Sequence, residues 1–551
     1  MSKMSKAAAS LSEANSLRLD ETTTNFMGGD SYVLNPLTTM KMVTASSIFG
    51  EPQYYRESSM SNGKYHGTRY VIDRFVTSIL PSEITDNATT EEVMIRAIDA
   101  ALDYDFAGTL DWAITLRETY HIRLNPQIIM VRAAIHPKRV EFTTNNPGTF
   151  NDTNMKVMQR PDEPMTQFAI YLYFNNGSKK NLPNILKRSW AKKLSSLNRY
   201  SAAKYKNHEV GMINTVRVCH ANSKVINELM RTGAVEICKE EKTWENMRSA
   251  GMPWKEIISQ VNMGHMAMLR NLRGVFSEID NYNICKEYLD KLKAGVVDGK
   301  QLPFRYYSAL KAINSKTNHE GLITDALEEC MDIAMENFPK LSGKTVCLSD
   351  NSGSAWFGVT SEYGTTVVAE INNLSSVMTA ANSDEGYVVT FGDTTKTYAI
   401  SKRAGILSQA NKISGKRGND VGLSTEGGIW EFFSNAIQNK VWYDNIFIYS
   451  DQQAGHGGLY GTKMHRREYN YLGYSCSDGH NINVFKLVQD YRKKVNPKVN
   501  VFSVQTAGYN NNVLPEYAYR TSILYGWTGR EAEFAKAIID LYNSNESVTC
   551  Q

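Results

Sequence analysis

The segment Thr345–Ser354, TVCLSDNSGS, constrains the fold of this 551-residue chain more than any other. Its apolar run ends in Asp350, Ser352 and Ser354, so a buried strand would bring one carboxylate and two hydroxyls to one point. Hard oxygen ligands of this kind suit a divalent cation such as Mg²⁺ or Mn²⁺. In open α/β sheets, ligands bind where Asp350 would lie, at the carboxyl end of a strand. The alternative is an ordinary turn, because Ser and Asp are common in turns.

Downstream of this segment, the sequence contains further strand patterns separated by helical ones. The apolar runs are Tyr387–Phe391, Asn445–Ser450, which Asp451 follows, and Val499–Val504. Helical patterns such as Gly428–Val441 lie between them. Strands that alternate with helices in this manner predict a doubly wound α/β sheet.

The arrangement resembles the von Willebrand factor A domain. The metal-ion-dependent adhesion site of that domain combines D-x-S-x-S with a Thr from a second loop and an Asp from a third. The resemblance implies that Asp350, Ser352 and Ser354 form the first loop, Thr425 the second and Asp451 the third. The alternative is a site that has lost its metal.

The preceding part of the chain, from about residue 32 to residue 338, shows helical periodicity nearly throughout. Many short helices with small breaks predict helix pairs stacked as an α-solenoid. We therefore expect a flexible leader over residues 1–30, a helical-repeat domain over 31–340 and the α/β domain over 341–551. The predicted helices include Thr90–Tyr104, Thr109–Tyr120, Asn125–Ile135, Lys187–Asn198, Ile213–Cys219, Asn222–Met230 and Met263–Phe276.

One segment of the helical part is strongly basic, although the net charge of the whole chain is only +4. Residues 164–227 contain eleven Lys or Arg and a single acid, Glu209. On the predicted helix Lys187–Asn198, the cations Arg188, Lys192 and Arg199 project together, away from the apolar stripe. Such rows can neutralise phosphates, and Tyr200 and Tyr205 could stack bases. The alternative is a solvated face that serves only solubility.

A later helical pattern, Val261–Phe276, places Arg270 and Arg273 on one face and apolar residues on the other. Arginines on a packed helix suit phosphate contact, because the guanidinium forks onto oxyanions. An ordinary amphipathic helix is the alternative.

Cysteine usage and hydropathy predict a cytoplasmic protein. Seven cysteines are scattered singly, without zinc-ligand spacing, which is typical of reduced thiols. The sequence has no apolar run typical of a signal peptide or a membrane span.

The order of these features resembles the Ro autoantigen family, whose helical part is called the TROVE domain. The segments that carry the likeness are Ile48–Tyr55, Lys204–Ser223, MAMLRNLR in the later helix and Leu302–Ile313. The resemblance implies a monomeric ring of HEAT-like repeats closed by the A domain. It also implies that a Y-type noncoding RNA binds the outer surface and that single-stranded RNA 3′ ends bind in the central hole. The family's outer basic and histidine positions correspond to Lys204, Arg217 and His220.

Three functions from different classes follow from these patterns. The first is a noncatalytic RNA-binding ring that acts in RNA quality control or as a ribonucleoprotein scaffold. The second is a metal-dependent adhesion or scaffold module, in which an exoribonuclease or another protein meets the metal near Asp350. The third, a nuclease, is disfavoured because the motif lacks the paired acids of two-metal chemistry. We therefore expect no catalytic residue, and we interpret Asn382–Gly386 (NSDEG) as a solvated turn.

Overall fold

The polypeptide divides into two units, one helical in its described residues and one built around a β-sheet. Unit 1 comprises Met1–Met94, Leu289–Ser315 and His319–Gln551, and unit 2 comprises Ile95–Tyr288 and Lys316–Asn318. A computed structural model of the chain describes residues 22–24, 30–46, 90–207, 210–236, 243–313, 317–336, 338–357, 366–415, 420–423, 426–452, 454, 483–507, 511–515, 518–527, 529 and 531–549.

The described part of unit 1 begins with two short strands and a helix. Strand β1 (Thr22–Thr24) pairs in antiparallel fashion with β2 (Asp30–Val33), and it lies inside the segment predicted as the leader. Helix α1 (Pro36–Ser46) follows. Asn35 caps this helix, because the amide of Thr38 donates to Asn35 Oδ1 at 2.9 Å, and proline suits the first helical position.

Every helix predicted by periodicity is present, and most boundaries differ by only a few residues. The bounds are α2 Thr90–Tyr104, α3 Phe106–Glu118, α4 Leu124–Ile135, α5 Arg139–Asn145, α6 Thr149–Val157, α7 Glu163–Phe174, α8 Asn184–Ser195, α9 Arg199–Tyr205, α10 Met212–Cys219, α11 Lys224–Thr232, α12 Trp244–Ser249, α13 Trp254–Gln260, α14 His265–Glu278 and α15 Tyr282–Ala294. Helix α8 ends earlier than predicted because Asn198 caps the next helix, accepting from the amide of Ser201 at 2.8 Å.

A buried polar network holds four helices of unit 2 in register. Gln167 on α7 donates through Nε2 to Gln127 Oε1 on α4 and to Asn154 Oδ1 on α6, each at 2.7 Å. Trp190 on α8 donates through Nε1 to Gln167 Oε1 at 2.8 Å. All four side chains are buried. Because unpaired buried polar groups are costly, the network restricts how α8 can pack against its neighbours.

The large sheet of unit 1 has the strand order β5-β4-β3-β6-β7-β9. Its neighbouring strands are parallel except for β5, which is antiparallel to β4. The order reverses between β3 and β6, which is the switch point of a doubly wound sheet. The bounds are β3 Leu341–Asp350, β4 Ser383–Phe391, β5 Thr395–Ala399, β6 Asn445–Ser450, β7 Asn500–Gln505, β8 Asn511–Asn512 and β9 Thr521–Tyr525, and β8 pairs with β2 outside this sheet.

Further helices lie in the described part of unit 1. They are α16 Val296–Gly299, α17 Pro303–Lys311, α18 Glu320–Met335, α19 Gly353–Phe357, α20 Val368–Ala381, α21 Ile406–Ser414, α22 Glu426–Gln438, α23 Val484–Lys494 and α24 Glu531–Thr549. Helix α18 packs on α21, and its Glu328 accepts hydrogen bonds from the amides of Leu407 and Ser408 at 3.0 and 2.6 Å. This carboxylate therefore caps the amino end of α21.

The predicted fold class, helical repeats followed by a doubly wound α/β domain of the von Willebrand factor A type, is confirmed. Among the described residues, no helix is long and apolar enough to span a bilayer.

The predicted turn at Asn382–Gly386 is wrong, because β4 begins at Ser383 and runs to Phe391. Asp384 and Glu385 are exposed at the amino end of the strand, so their polarity gave the appearance of a turn. The pairing with β3 nevertheless includes Glu385 and Gly386. Here the backbone ladder outweighs the low strand propensity of acidic residues and glycine.

Replacing Gly386 by Ala should destabilise unit 1 by about 3 kcal/mol, because overpacking against backbone cannot relax easily. A Cβ at this position would lie 1.9 Å from the carbonyl oxygen of Ala380. Gly321→Ala is the matched control, since nothing lies within 4 Å of its added Cβ, and it should change stability by no more than about 1 kcal/mol. Urea unfolding followed by circular dichroism measures both. Equal midpoints for the two variants would contradict the close approach of β4 to α20.

Candidate metal centre and nucleic-acid interface

Asp350 ends β3 at the switch point of the sheet, next to the carboxyl end of β6. Its side chain is buried, and it accepts hydrogen bonds from the amide of Ser352 to Oδ1 at 2.9 Å and from Ser450 Oγ to Oδ2 at 2.6 Å. Burial raises the pKa of the Asp350 carboxyl above its ordinary value, although the hydrogen bonds from Ser352 and Ser450 act in the opposite direction. A bound cation would compensate the cost of this buried charge.

The other predicted ligands of the first and third loops lie at the same end of the sheet. Ser352 Oγ and Ser354 Oγ are 2.8 Å apart, which continues the chain of oxygens that starts at Asp350. Ser450 Oγ is 3.4 Å from Asp451 Oδ1, and Asp451 is only 2% exposed. Ser450 therefore links the two carboxylates, and it was not predicted from the sequence.

Thr425, the predicted ligand of the second loop, lies outside the described residues. The residues just before it are held by close backbone approaches. The amide of Gly353 donates to the carbonyl of Leu423 at 2.8 Å, and the amide of Leu423 donates to Asp393 Oδ2 at 3.2 Å. Gly422 has a φ of +87°, and an added Cβ would lie 2.0 Å from Asp393 Oδ2, so this position requires glycine. Leu423 is thereby placed against the first loop.

Two adjacent asparagines of α20 support the loop and were missed by the sequence analysis. Asn373 Oδ1 accepts from Ser349 Oγ at 2.7 Å and from Asn351 Nδ2 at 2.8 Å, and Asn373 Nδ2 donates to Ser414 Oγ at 3.0 Å. Asn372 Nδ2 donates to the carbonyl of Asp350 at 3.2 Å. The available signal was a pair of adjacent amide side chains in a helix whose other residues are mostly small or apolar.

The donor set at the switch point fits a hard divalent cation. It offers carboxylates and hydroxyls, which are the oxygen ligands that Mg²⁺ and Mn²⁺ prefer. In the described part of the chain, no three His, Cys, Asp or Glu side chains cluster in a way that could hold a metal. A metal at Asp350 would therefore depend on the hydroxyls of Ser352 and Ser354 as well as on carboxylate oxygens.

The predicted RNA-binding cations of α8 and α10 are exposed on helices that pack together. Arg188 and Lys192 project from α8, and Arg217 and His220 project from the end of α10. Ser195, the last residue of α8, accepts a hydrogen bond through Oγ from the amide of Asn222, just after α10, at 2.9 Å. We call Arg188, Lys192, Arg217 and His220 the basic face.

The four members of the basic face have no acidic partner in the part of the chain that the structure describes. Within the described residues, no carboxylate forms an ion pair with its four members. Arg199 differs, because both of its Nη atoms donate to Glu228, at 2.6 and 2.7 Å. It also begins α9 instead of continuing α8, so the predicted alignment of Arg199 with Arg188 and Lys192 on one helix is wrong.

Lys204 is more engaged than the members of the basic face. Its Nζ lies 3.8 Å from Glu245 Oε1 and 5.8 Å from the ring centroids of Tyr200 and Tyr205. Tyr205 also accepts a hydrogen bond from Arg160 Nη2 at 3.2 Å. Because of these contacts, the Lys204 ammonium group is less available to bind a phosphate, and the Tyr205 ring is less available to stack on a base.

His220 has a left-handed backbone conformation, which His121 and His319 also adopt. It terminates α10 with a φ of 58° and a ψ of 38°, and its amide donates to the carbonyl of Val216 at 2.8 Å. This left-handed region favours glycine and asparagine.

Arg270 and Arg273 project from α14 three residues apart, and both are exposed. The opposite side of the helix is buried and includes Leu272 and Val275, as the periodicity predicts. No carboxylate of the described residues forms an ion pair with either arginine. The guanidinium groups of Arg270 and Arg273 are therefore available to bind oxyanions.

The chain thus has the architecture of a helical unit together with a doubly wound α/β domain of the von Willebrand factor A type. The D-x-S-x-S motif of that domain begins at Asp350, the last residue of β3. Among solved structures, the chain is similar to the crystal structure of the Deinococcus radiodurans RO (RSR) protein, with a TM-score of 0.52 and 14% sequence identity. The match covers 84% of this chain and 96% of that chain. No protein-family model matches the sequence, and no curated protein is significantly similar to it. The resemblance predicted from the sequence is thus confirmed for the fold.

Proposed function

We propose that this protein is a noncatalytic RNA-binding member of the Ro family that acts in RNA quality control or as a ribonucleoprotein scaffold. The observation that carries the proposal is the basic face, which presents exposed cations that form no ion pair with a carboxylate of the described residues. Its ligand is a small structured noncoding RNA of the Y type, and Arg270 and Arg273 take the single-stranded 3′ ends of RNAs. In the family's architecture this second site lines the central hole of a monomeric ring.

Electrostatics favours a phosphate backbone as the ligand of the basic face. Cations that are exposed and unpaired can release the counterions of phosphates without first breaking an ion pair. Helix C-termini also carry partial negative charge, so cations in the last turns of α8 and α10 are stabilised there. Lys204 adds a weaker contact, because Glu245 lies 3.8 Å from its Nζ.

We propose in addition that Asp350, Ser352, Ser354, Thr425 and Asp451 hold Mg²⁺ or another divalent cation such as Mn²⁺. When bound, the ion would accept an oxygen ligand from a partner, and an acidic side chain of an exoribonuclease or of another protein has the right chemistry. The chain's own residues hold the ion, and Asn372 and Asn373 keep the loop in place. A protein whose main function is metal-dependent adhesion is the second candidate, and the buried Asp350 favours it.

We place the protein in the cytoplasm. Cys219, Cys285, Cys330 and Cys347 are free and buried. Burial raises the pKa of the Cys219 thiol to about 11 and that of the Cys330 thiol to about 12, so both remain unreactive thiols at neutral pH.

Arg217→Ala should weaken binding of the copurifying RNA and lower the slope of log affinity against log salt by roughly 0.7–0.9, the amount expected for one lost phosphate contact. A filter-binding salt titration measures both quantities. Lys412→Ala is the charge-matched control, because Lys412 is exposed on α21 of unit 1 and should leave the slope unchanged. His220→Asn keeps the left-handed preference and tests the imidazole alone. An unchanged slope in Arg217→Ala would place the RNA on another surface.

The double variant Arg270→Ala/Arg273→Ala should weaken capture of RNAs that end in a free single-stranded 3′ tail. Binding of a fully structured RNA should change by less than about twofold, because its phosphates are met by the basic face. Competition between the two RNAs in a gel-shift assay provides the measurement. Equal losses for both RNA types would make α14 a general phosphate surface.

Asp350→Asn should abolish binding of Mg²⁺ and Mn²⁺, since the amide cannot supply a charged oxygen. Millimolar Mg²⁺ should raise the thermal midpoint of the wild-type protein and leave that of the variant unchanged. Asp384→Asn is the control, because Asp384 is exposed at the opposite, amino end of β4. RNA affinity should stay within a few-fold in both variants. Calorimetry that detects no divalent-ion binding by the wild-type protein would refute the metal site.

A further inference from the structure

A groove of about 640 Å³ lies on unit 1, away from the metal centre, and it is lined by Phe485, Lys493 and Tyr519 among others. Its wall is formed by α23 together with Pro497 and Ala518. These last two residues come just before β7 and β9, so the groove lies at the amino ends of the strands. The candidate metal ligands lie at the carboxyl ends. A volume of this size accommodates a nucleotide-sized ligand.

Tyr519 gives the groove an aromatic ring that is both exposed and fixed. The side chain is 52% exposed. Its hydroxyl accepts from Arg520 Nε at 3.2 Å, and the Tyr542 ring lies edge-on with centroids 6.3 Å apart. Arg520 is in turn anchored by Asn500 Oδ1 at 2.8 Å and Asn543 Oδ1 at 2.9 Å. A ring held in this way loses little conformational entropy when a flat group stacks on it.

Two cations line the groove beside this ring. Arg492 Nη2 donates to the carbonyl of Arg520 at 2.9 Å and to Thr521 Oγ1 at 3.1 Å, while its Nε is buried without a hydrogen-bond partner among the described residues. Burial lowers the pKa of Arg492 to about 10, so it remains charged at neutral pH. Lys493 is exposed, and no carboxylate in the described parts of the chain forms an ion pair with it. Asp490, the nearest acid in sequence, does not line the groove.

A second exposed ring extends this surface along the same edge of the sheet. Trp442 precedes β6, is 50% exposed and donates through Nε1 to Asp444 Oδ1 at 3.0 Å. Lys440 Nζ donates to the carbonyl of Lys494 at 2.8 Å, which joins this loop to the end of α23. Since β7 separates β6 from β9, the starts of these two strands are about 10 Å apart at ordinary strand spacing.

We infer that this groove binds a segment of single-stranded RNA, with a base stacked on Tyr519 and the adjoining phosphates contacted by Lys493 and attracted by the charge of Arg492. The inference rests on the proposed RNA-binding function and adds a contact surface on unit 1. Exposed aromatic rings next to cations are the means by which proteins bind single strands without reading sequence. An acidic peptide would be met by the same cations but has no need of an exposed, rigid ring.

The test uses the full chain and a fluorescein-labelled oligouridylate, with affinity measured by anisotropy. The binding background carries Arg217→Ala, Arg270→Ala and Arg273→Ala, so that the contacts proposed for unit 2 are weakened. In this background, Tyr519→Ala should weaken binding roughly five- to a hundredfold, the range expected for one lost stacking contact. Tyr519→Phe keeps the ring and should bind within about twofold of the background protein. Lys493→Glu should weaken binding and lower its salt dependence, whereas Lys412→Glu should do neither.

The outcomes separate this inference from the proposed function. If the wild-type chain binds RNA but Tyr519→Ala and Lys493→Glu bind the oligouridylate as the background protein does, the groove is not an RNA site and the basic face remains. If the wild-type chain binds neither the oligouridylate nor structured RNA, both proposals fail. Displacement of the probe by polyglutamate, with equal displacement from Tyr519→Phe and Tyr519→Ala, would assign the groove to an acidic protein instead. Tyr519→Phe keeps the ring and loses only the hydrogen bond from Arg520 Nε, and Lys493→Glu leaves both in place, so the test does not depend on Tyr519→Ala alone.

Discussion

The pairing of β3 between β4 and β6 is the constraint on which the candidate metal centre depends. Parallel strands end at the same edge of a sheet, so Asp350 and Asp451 reach that edge together only because their strands are neighbours. The Ser450 hydroxyl then spans the two carboxylates, at 2.6 and 3.4 Å. Were β3 at the edge of the sheet, the same motif would be an exposed turn with no opposing loop. The meeting of these oxygen atoms at the D-x-S-x-S segment is therefore a property of strand order.

In unit 2, the corresponding constraint is the buried network centred on Gln167. It connects α8 to α4, α6 and α7 through side chains that must all be satisfied, and alternative packings would leave donors unpaired. Because the Trp190 side chain is buried, the face of α8 that carries it packs against the neighbouring helices. Arg188 and Lys192 therefore lie on the solvent-exposed face of α8. The exposure of part of the basic face thus follows from the burial of a polar group on the opposite side of the same helix.

The spacing of apolar residues predicted much of the fold, because helices and strands each impose their own periodicity on the sequence. Strand Asn445–Ser450 has the predicted bounds, and helix Thr90–Tyr104 does as well. The predicted turn at Asn382–Gly386 failed because exposed acids at a strand end look like a loop until the partner strand is known. For the site, Asp350 could be found from its position after an apolar run. Thr425 lies outside the described residues and stays a prediction.

The sequence by itself determined the elements, their order and the candidate carboxylates and cations, because these depend on neighbours within a few residues. Tertiary structure decided which of those groups meet. The pairing of Arg199 with Glu228 joins two helices, and the support of the metal loop by Asn373 joins α20 to β3 and α21. It also decided that Tyr519 and Arg492 share one groove. Such contacts depend on how separate elements pack, so they cannot be inferred from the spacing of residues along the chain.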